Sequence, residues 1–299
     1  MKRLGWYIVS GIVVVVVTAG TMWYIQRPAT IAERSITALA RANTAHFKAM
    51  VELANDATTE ALLGESGTVE FIADGVFARH DNERDALQAD ITLTTKTESV
   101  SVTVEGEVRF IGDKAFLYIK ASPPIFALLN QLKGQWLELP RGEEGNIITM
   151  STPERYFVEV KRQGIEQLQG KSVVKYEAVA ADAAVISMMD AIAELLGTRL
   201  TQDQISNIRQ SVDQVGQVPV ELWIKRWSQN LRQLRAVLEV PGGNNIQFTL
   251  ATEELNEKVD IVAPPNAVDI NDAVRAVIQP SATPLPPPPV VSPTPVPTP

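Results

Sequence analysis

Hydrophobic and polar residues alternate along most of the chain between its two ends. Leu87, Ala89, Ile91 and Leu93 are separated by polar residues, and the same period of two continues through residues 100–110. Successive side chains of a β-strand point to opposite faces, so this pattern predicts half-buried strands. Comparable patterns occur at residues 47–53, 69–73, 115–119, 136–139, 173–179, 246–250 and 259–262. The short gaps between neighbouring segments favour antiparallel pairing.

Residues 218–240 contain two tryptophans and four cationic residues, and they fit either a basic amphipathic helix or a β-hairpin. Apolar residues occupy every second position before the polar segment 227–230, and again every second position after it. This pattern favours two strands. Pro219 agrees with this interpretation, because a strand edge tolerates proline better than a helix interior does. We therefore expect the cations to lie at the turn or on the wetter face: Lys225, Arg226, Arg232 and Arg235.

Three segments have the period of an amphipathic helix. The first follows a capping box formed by Thr30 and Glu33. The second covers residues 182–197, and the third covers residues 201–216. About ten strands with so few helices predict an α+β fold in which a large curved antiparallel sheet, an unclosed β-barrel, holds helices on its concave side. Such a sheet encloses either a packed core or an apolar cavity, and the same inward aliphatic residues serve both.

The amino-terminal region predicts a membrane anchor at residues 1–27. Residues 4–26 carry no charge and would extend about 35 Å as a helix, enough to cross the ~30 Å hydrocarbon layer. Aromatic pairs at 6–7 and 23–24 would lie at the two membrane–water interfaces of such a helix. A cleaved signal peptide is the alternative, because residues 17–19 resemble a cleavage site. As an uncleaved signal anchor, this segment predicts a single-pass cell-membrane protein with its amino terminus inside and an extracytoplasmic carboxyl-terminal domain.

The carboxyl-terminal residues 271–299 are predicted to be a short segment and a proline-rich, disordered tail. Residues 280–299 are half proline and uncharged, and such a sequence lacks the donors that helices and sheets need. The tail is expected to be an extended polyproline-like segment that serves as a spacer or contacts cell wall or a protein partner.

Composition excludes several classes of function. The chain has no cysteine, and therefore no disulfide, thiol nucleophile or thiolate metal site. The net charge of −8 argues against nucleic-acid binding. With only His46 and His80 present, the sequence predicts no metal site, and no cofactor is implied.

None of the short motifs indicates catalysis. Residues 164–172 have the wrong glycine spacing for a phosphate-binding loop, and Ser172 and Lys175 would point to opposite faces of a strand. Residues 81–85 lack the glycine and the distal glutamate of a calcium loop. Glu105 and Glu107 are better explained as a charged outer face. We expect the protein not to be an enzyme.

The order of the elements resembles a known group of proteins. An exported segment, a short helix, an antiparallel sheet, a helical insertion, the hairpin "PVELWIKRWSQNLRQLRAVLEV" and the terminal "VDIVAPPNAVDI" are similar to the Lol-type lipoprotein carriers. The mycobacterial LppX and LprG group of lipid-binding lipoproteins is the closer likeness. The resemblance covers about residues 29–270 and implies a half-barrel, here at 28–270, that holds acyl chains. The mycobacterial proteins are anchored through a lipidated cysteine, which this chain lacks.

Two functions of different classes follow. The first is a membrane-anchored, extracytoplasmic protein of the cell envelope that binds a lipid or another hydrophobic ligand, and that could carry lipids or lipoproteins. The second is a non-enzymatic structural or interaction domain with a filled core and the proline-rich tail as its contact. For the first, adaptable methionine side chains suit variable acyl chains. The expected apolar binding site consists of Val185, Met188, Met189, Ile192, Leu195, Leu222 and Ile224.

Overall fold

A computed structural model describes residues 27–54, 66–79, 85–112, 114–139, 153, 155–187, 205–206, 217–240 and 244–278. Their strands form one open sheet of twelve in the order β12-β6-β5-β4-β3-β2-β1-β11-β10-β9-β8-β7. All neighbours are antiparallel except β12 and β6, which are parallel. The strands are β1 (Thr44–Ala54), β2 (Thr68–Ala78), β3 (Ala86–Lys96), β4 (Ser101–Ile111), β5 (Lys114–Ala121), β6 (Trp136–Leu139), β7 (Phe157–Leu168), β8 (Lys171–Ala180), β9 (Pro219–Lys225), β10 (Leu231–Val240), β11 (Asn244–Glu253) and β12 (Val268–Asp269).

The predicted antiparallel strands are confirmed wherever the alternation was regular. The segment 218–240 is the expected hairpin of β9 and β10, in which Leu222 lies opposite Leu234. The strand predicted at residues 259–262 is wrong, since this segment forms no ladder. Its alternation has another cause: the segment is extended, and it turns Val259 and Ile261 toward Ala78 and Ala86 on the sheet.

The strand β7 was not predicted, because it is an edge strand with a weak pattern. Its hydrophobic residues Val158 and Ile165 are 52% and 49% exposed. The register with β8 shifts between Phe157 and Glu159 and again between Arg162 and Gly164. Each shift marks a bulge, which reverses the parity of the side chains that follow. No single period of two therefore runs through this strand.

The first helix, α1 (Pro28–Ala40), starts earlier than the capping box predicted. Pro28 occupies the first turn, and no side chain caps the helix at Arg27, so Thr30 lies inside it. Glu33 has a different role: its carboxylate accepts hydrogen bonds from the backbone N–H groups of Tyr156 (3.0 Å) and Phe157 (3.2 Å). Glu33, which was expected to pair with Thr30 in a capping box, thus fixes α1 to the start of β7.

The chain crosses the sheet after β11 and adds its last elements at the far edge. Asn256 donates its backbone N–H to the carbonyl of Thr44 at 2.8 Å, and Arg109 donates to the carbonyl of Val262 at 2.9 Å. This crossing segment, residues 254–267, leads to β12 beside β6. The short helix α3 (Ile270–Ile278) follows and packs near α2 (Ala127–Gln131).

The folded unit extends beyond residue 270, where the tail segment was predicted to start. Ala273 in α3 is buried with Ile119, Leu132 and Leu137. Of the predicted second helix, residues 182–187 are described and are helical, and of the third, residues 205–206 are. Of the predicted anchor at residues 1–27, residues 1–26 lie outside the described residues, as does the tail at 280–299.

The two ends of the sheet are distinguished by the direction of α1. The proximal end, where Glu33 meets Tyr156, also carries the β3–β4 turn and the segment between β5 and α2. The distal end, where Arg79 donates to the carbonyl of Ala40 at 2.5 Å, carries the β9–β10 turn. Helix α1 therefore crosses the sheet from the proximal to the distal end and leads directly into β1.

One prediction about the cations of the hairpin is wrong. Arg232 is buried, with 3% of its surface exposed, whereas it was expected at the wet face or turn. It lies at a bulge of β10 and donates to the carbonyl of Thr252 (3.2 Å) and to the side chain of Gln169 (2.5 Å), and it pairs with Glu253. These acceptors satisfy its guanidinium, which is what permits burial of a cation.

Candidate functional site: an apolar face in the middle of the sheet

A single apolar face runs across the sheet. The strand register places side chains directly opposite one another in a continuous row from β8 to β5. This row consists of Tyr176, Leu222, Leu234, Leu250, Ala49, Ala73, Ile91, Gly106 and Ile119. Residues opposite one another in a ladder lie on the same face, so the described helices that touch the two ends of the row cover the same side of the sheet.

The strands β7 to β10 are covered by α1. Ala32 of the helix packs into a buried cluster with Leu222 and Ile224, of which at most 1% is exposed. Ser35 is also buried, and its hydroxyl is satisfied within the helix by the carbonyl of Ala32 at 2.8 Å. We call this region the α1 flank. Its core is filled by side chains of the protein itself.

At the other end of the row, α2 and α3 cover β5 and β6. Ile119 and Leu137 are 3% and 0% exposed and pack against Ala273. The face is thus closed at both ends by helices.

Between the two flanks lies the central apolar face, formed by β11, β1, β2, β3 and β4. In the described part of the chain, none of its residues belongs to the clusters that the helices form. Phe71 and Leu93 lie opposite each other and are 36% and 41% exposed. The face consists of Phe47, Ala49, Val51, Leu53, Val69, Phe71, Ala73, Ile91, Leu93, Val104, Ile246, Phe248 and Leu250.

One row of this face is apolar over five adjacent strands. Phe248, Val51, Phe71, Leu93 and Val104 are direct cross-strand neighbours. At about 4.8 Å between strands, the row is roughly 19 Å long. Burying a Leu or Phe side chain is worth about 1.5–3 kcal/mol, so the half-exposed row offers a large part of this energy to an apolar partner.

Gly75 brings two strands of the central apolar face close together. A Cβ atom at this position would lie 2.1 Å from the carbonyl oxygen of Gln88 and 2.7 Å from the Cβ of Ala89. Glycine in a strand interior commonly marks such a close approach or a bend of the sheet. Gly75 and Ala89 therefore leave little side-chain volume in this part of the face.

The opposite face of these strands is charged and polar in its middle, and toward the distal end Val259 and Ile261 of the crossing segment pack on it. Lys48 pairs with Asp74 at 3.4 Å, and Lys120 pairs with Asp90 at 2.5 Å. Glu107, on the outer face as predicted, accepts a hydrogen bond from Arg109 at 2.9 Å.

The expected site residues fall into three groups. Leu222 and Ile224 lie on the apolar face, beneath α1. Val185, in the helical residues 182–187, packs with Val218 at the proximal end. Met188, Met189, Ile192 and Leu195 lie outside the described residues. The site prediction did not include Phe71 and Leu93, although both belong to regularly alternating segments.

The ionisable groups with shifted pKa values form structural contacts. A hydrogen bond to Glu221 raises the pKa of Lys175, burial raises the pKa of Tyr176, and burial, followed by the charge of Arg232, lowers the pKa of Lys225. Ser172 and Lys175 lie on opposite faces of β8, as predicted for a strand. Tyr176 lies on the apolar face, whereas Lys175 and Lys225 lie on the opposite face.

The described residues include no candidate metal cluster and no helix suited to span a bilayer. No group of three or more histidine, aspartate or glutamate side chains in these ranges is arranged to hold a metal ion. Among the helices of the same ranges, none combines the length and hydrophobicity required for crossing a bilayer.

Solved structures with a similar fold include two mycobacterial lipoproteins. LppX from Mycobacterium tuberculosis is 17% identical, with a TM-score of 0.37, over 79% of this chain and 100% of that one. LprF from Mycobacterium bovis is 15% identical, with a TM-score of 0.47, over 79% and 96%. A LolA-superfamily protein from Nitrosomonas europaea is 8% identical, with a TM-score of 0.20, over 76% and 94%.

No family model matches the chain, and no curated protein matches its sequence. The structural neighbours include the mycobacterial lipoproteins and a LolA-superfamily protein, members of the groups that the order of its elements resembles. This likeness concerns the arrangement of the strands and helices.

Proposed function

We propose that the protein binds a lipid or a similar hydrophobic ligand on the central apolar face. The observation that carries this proposal is the pair Phe71 and Leu93, large apolar side chains that are about two-fifths exposed in the middle of a sheet whose flanks are covered by helices. Exposed contiguous apolar surface of this kind usually marks a binding site.

The energy available to such a ligand is large. Each methylene removed from water contributes about 0.8 kcal/mol, so an acyl chain of roughly sixteen carbons gains on the order of 10 kcal/mol before the costs of ordering. The polar contacts can then be few, which fits a face made of aliphatic and aromatic side chains.

The setting of this activity is proposed from the sequence. Residues 4–26 would anchor the protein as a single-pass signal anchor, with the sheet on the extracytoplasmic side of the cell membrane. The site would then act as an envelope lipid-binding module without catalysis. The residues around Val185 would complete it at the proximal end, with Met188, Met189, Ile192 and Leu195 as proposed further contacts.

Photocrosslinking of the full chain in membranes tests the proposal. A fatty acid with a photoreactive group in its acyl chain should label peptides that contain Phe71 and Leu93. Leu93→Lys should remove most of the labelling, because it places a charge in the apolar row. Thr92→Lys is the matched control: Thr92 lies on the opposite face, across the ladder from Glu105. Equal labelling of both variants, or label confined to the outer face, would contradict the proposal.

A further inference from the structure

The proximal end of the sheet carries an exposed apolar rim. Val100 lies next to the β3–β4 turn, and Ile125 and Leu128 lie between β5 and the end of α2. These side chains are 46%, 63% and 42% exposed. We call these three residues the proximal rim. They come from two separate connections of the sheet, and both connections present large hydrophobic side chains at the same end.

The half-exposed residues of the central apolar face lie toward this same end. Phe71 is three residues from the start of β2, and Leu93 is three residues from the end of β3, and both of these strand ends are proximal. The apolar face is thus most exposed next to the rim. An apolar ligand that arrives at the proximal end meets hydrophobic surface from the turns to the middle of the sheet.

The start of α1 places the preceding part of the chain at this end as well. Glu33 holds the helix to the start of β7, and Pro28 lies about 7.5 Å further in the proximal direction at ~1.5 Å per residue. The uncharged segment 4–26 stops immediately before Arg27. Because α1 is packed on the sheet through Ala32, a membrane span formed by this segment would hold the proximal end toward the bilayer.

The strongest competing surface is at the distal end. Trp227 in the β9–β10 turn is 86% exposed, and the guanidinium of Arg226 lies 5.0 Å from its ring centroid. Tryptophan with a cation is typical of membrane interfaces. The strands between the two ends, such as the eleven residues of β1, are about 36 Å long, so a short link to the bilayer at the proximal end keeps Trp227 away from it.

We propose that the proximal rim docks on the surface of the lipid bilayer, so that ligand passes between the membrane and the central apolar face without crossing water. The inference rests on the proposed function, because it assigns the membrane as the source or destination of the ligand. Val100, Ile125 and Leu128 enter the interfacial region, and Phe71 and Leu93 are the first residues of the face that the ligand reaches.

Site-specific fluorescence tests the orientation. The chain has no cysteine, so Ile125→Cys and Trp227→Cys each create one unique position for an environment-sensitive fluorophore. The full-length protein is reconstituted in phosphatidylcholine and phosphatidylglycerol vesicles whose acyl chains carry a nitroxide quencher. We expect strong quenching at position 125 and little at 227. Quenching at 227 alone, equal quenching, or none at 125 overturns the docking.

Transfer kinetics separate this inference from the proposed function. In Ile125→Asp/Leu128→Asp, uptake of a fluorescent fatty acid from vesicles should slow at least about tenfold, since an Ile or Leu contact is worth more than one decade in an equilibrium constant. Uptake of the same fatty acid from a cyclodextrin complex in solution should be unchanged. Equal uptake from vesicles by variant and wild type overturns the docking alone, whereas a wild-type protein that takes up the fatty acid by neither route overturns the proposed function.

Discussion

The α1 flank and the central apolar face are built from the same kind of strand, but they bury their residues differently. Leu222 is fully buried under a helix, and Leu93, in the same kind of apolar row, is 41% exposed. The local sequence of the two strands does not differ in hydrophobic pattern. What differs is the partner, since Ala32 and its neighbours in α1 cover one region and none of the described helix clusters covers the other. Pattern therefore defines the face, and the connections decide which part of it the described helices cover.

The largest expected effect is a difference in the free energy of unfolding between matched substitutions in the two regions. Leu222→Ala leaves a cavity in a filled cluster and should lower the free energy of unfolding by about 2–5 kcal/mol. Leu93→Ala is the matched substitution on the central apolar face and should cost much less, about 1 kcal/mol or below. Urea unfolding followed by tryptophan fluorescence measures both. Equal losses would show that the central apolar face is packed as tightly as the α1 flank.

A smaller effect should come from the contact that holds α1 in place. Glu33→Ala leaves the backbone N–H groups of Tyr156 and Phe157 without their carboxylate acceptor and should cost about 1–3 kcal/mol. Faster amide hydrogen exchange at the start of β7 should accompany it. Arg34→Ala, at an exposed position of the same helix, serves as the control and should change little. Unchanged exchange in Glu33→Ala would mean that packing alone positions the α1 flank.

The smallest expected effect is a pH dependence of stability that comes from Lys175, on the opposite face of β8. The hydrogen bond from Lys175 to Glu221 raises the pKa of Lys175 above its ordinary value of 10.5. A raised lysine pKa means that the stabilisation is complete below pH 10.5 and is lost as pH rises through the folded-state pKa. Lys175→Met should therefore cost up to about 1 kcal/mol at neutral pH, with the difference from wild type shrinking in alkaline solution.

The control for the pH experiment is an exposed pair. Lys161 lies 2.9 Å from Glu159, and its side chain is 66% exposed, so solvent screens the attraction. Lys161→Met should leave the stability unchanged at every pH tested. A stability difference for Lys175→Met that grows with pH would contradict the assignment of the shift to Glu221.

The extent to which the sequence predicted the fold depended on how regularly each strand alternates. β3 and β4 could be predicted because the apolar residues of the predicted segments all lie on one face. The β9–β10 hairpin could be predicted because apolar residues occupy every second position in each of its two predicted segments. β7 was missed because two bulges and an exposed edge disturb its period. The extended segment at Val259 and Ile261 imitates a strand, since packing on a flat surface imposes the same alternation as a ladder.

The candidate site was harder to predict than the fold. The alternation placed Leu222 and Leu93 alike on the inward face. Which of the two is covered and which is exposed depends on where α1 lies in space. That position is set by Glu33 and the start of β7, residues more than a hundred positions apart in sequence. Burial of Arg232 was missed for a similar reason, because its acceptors Gln169 and Thr252 come from the β7–β8 turn and from β11. Contacts between distant segments leave no period in the local sequence.

The bulged edge of the sheet has a consequence for the behaviour of the protein at high concentration. β7 forms one boundary of the described sheet, and an open boundary strand of twelve residues could recruit a second molecule edge to edge. The two irregularities in its register, together with Lys161 and Arg162, interrupt the regular spacing of backbone groups that another chain would need. The sheet is thereby protected from polymerisation at this boundary, even though its apolar side stays available to a guest.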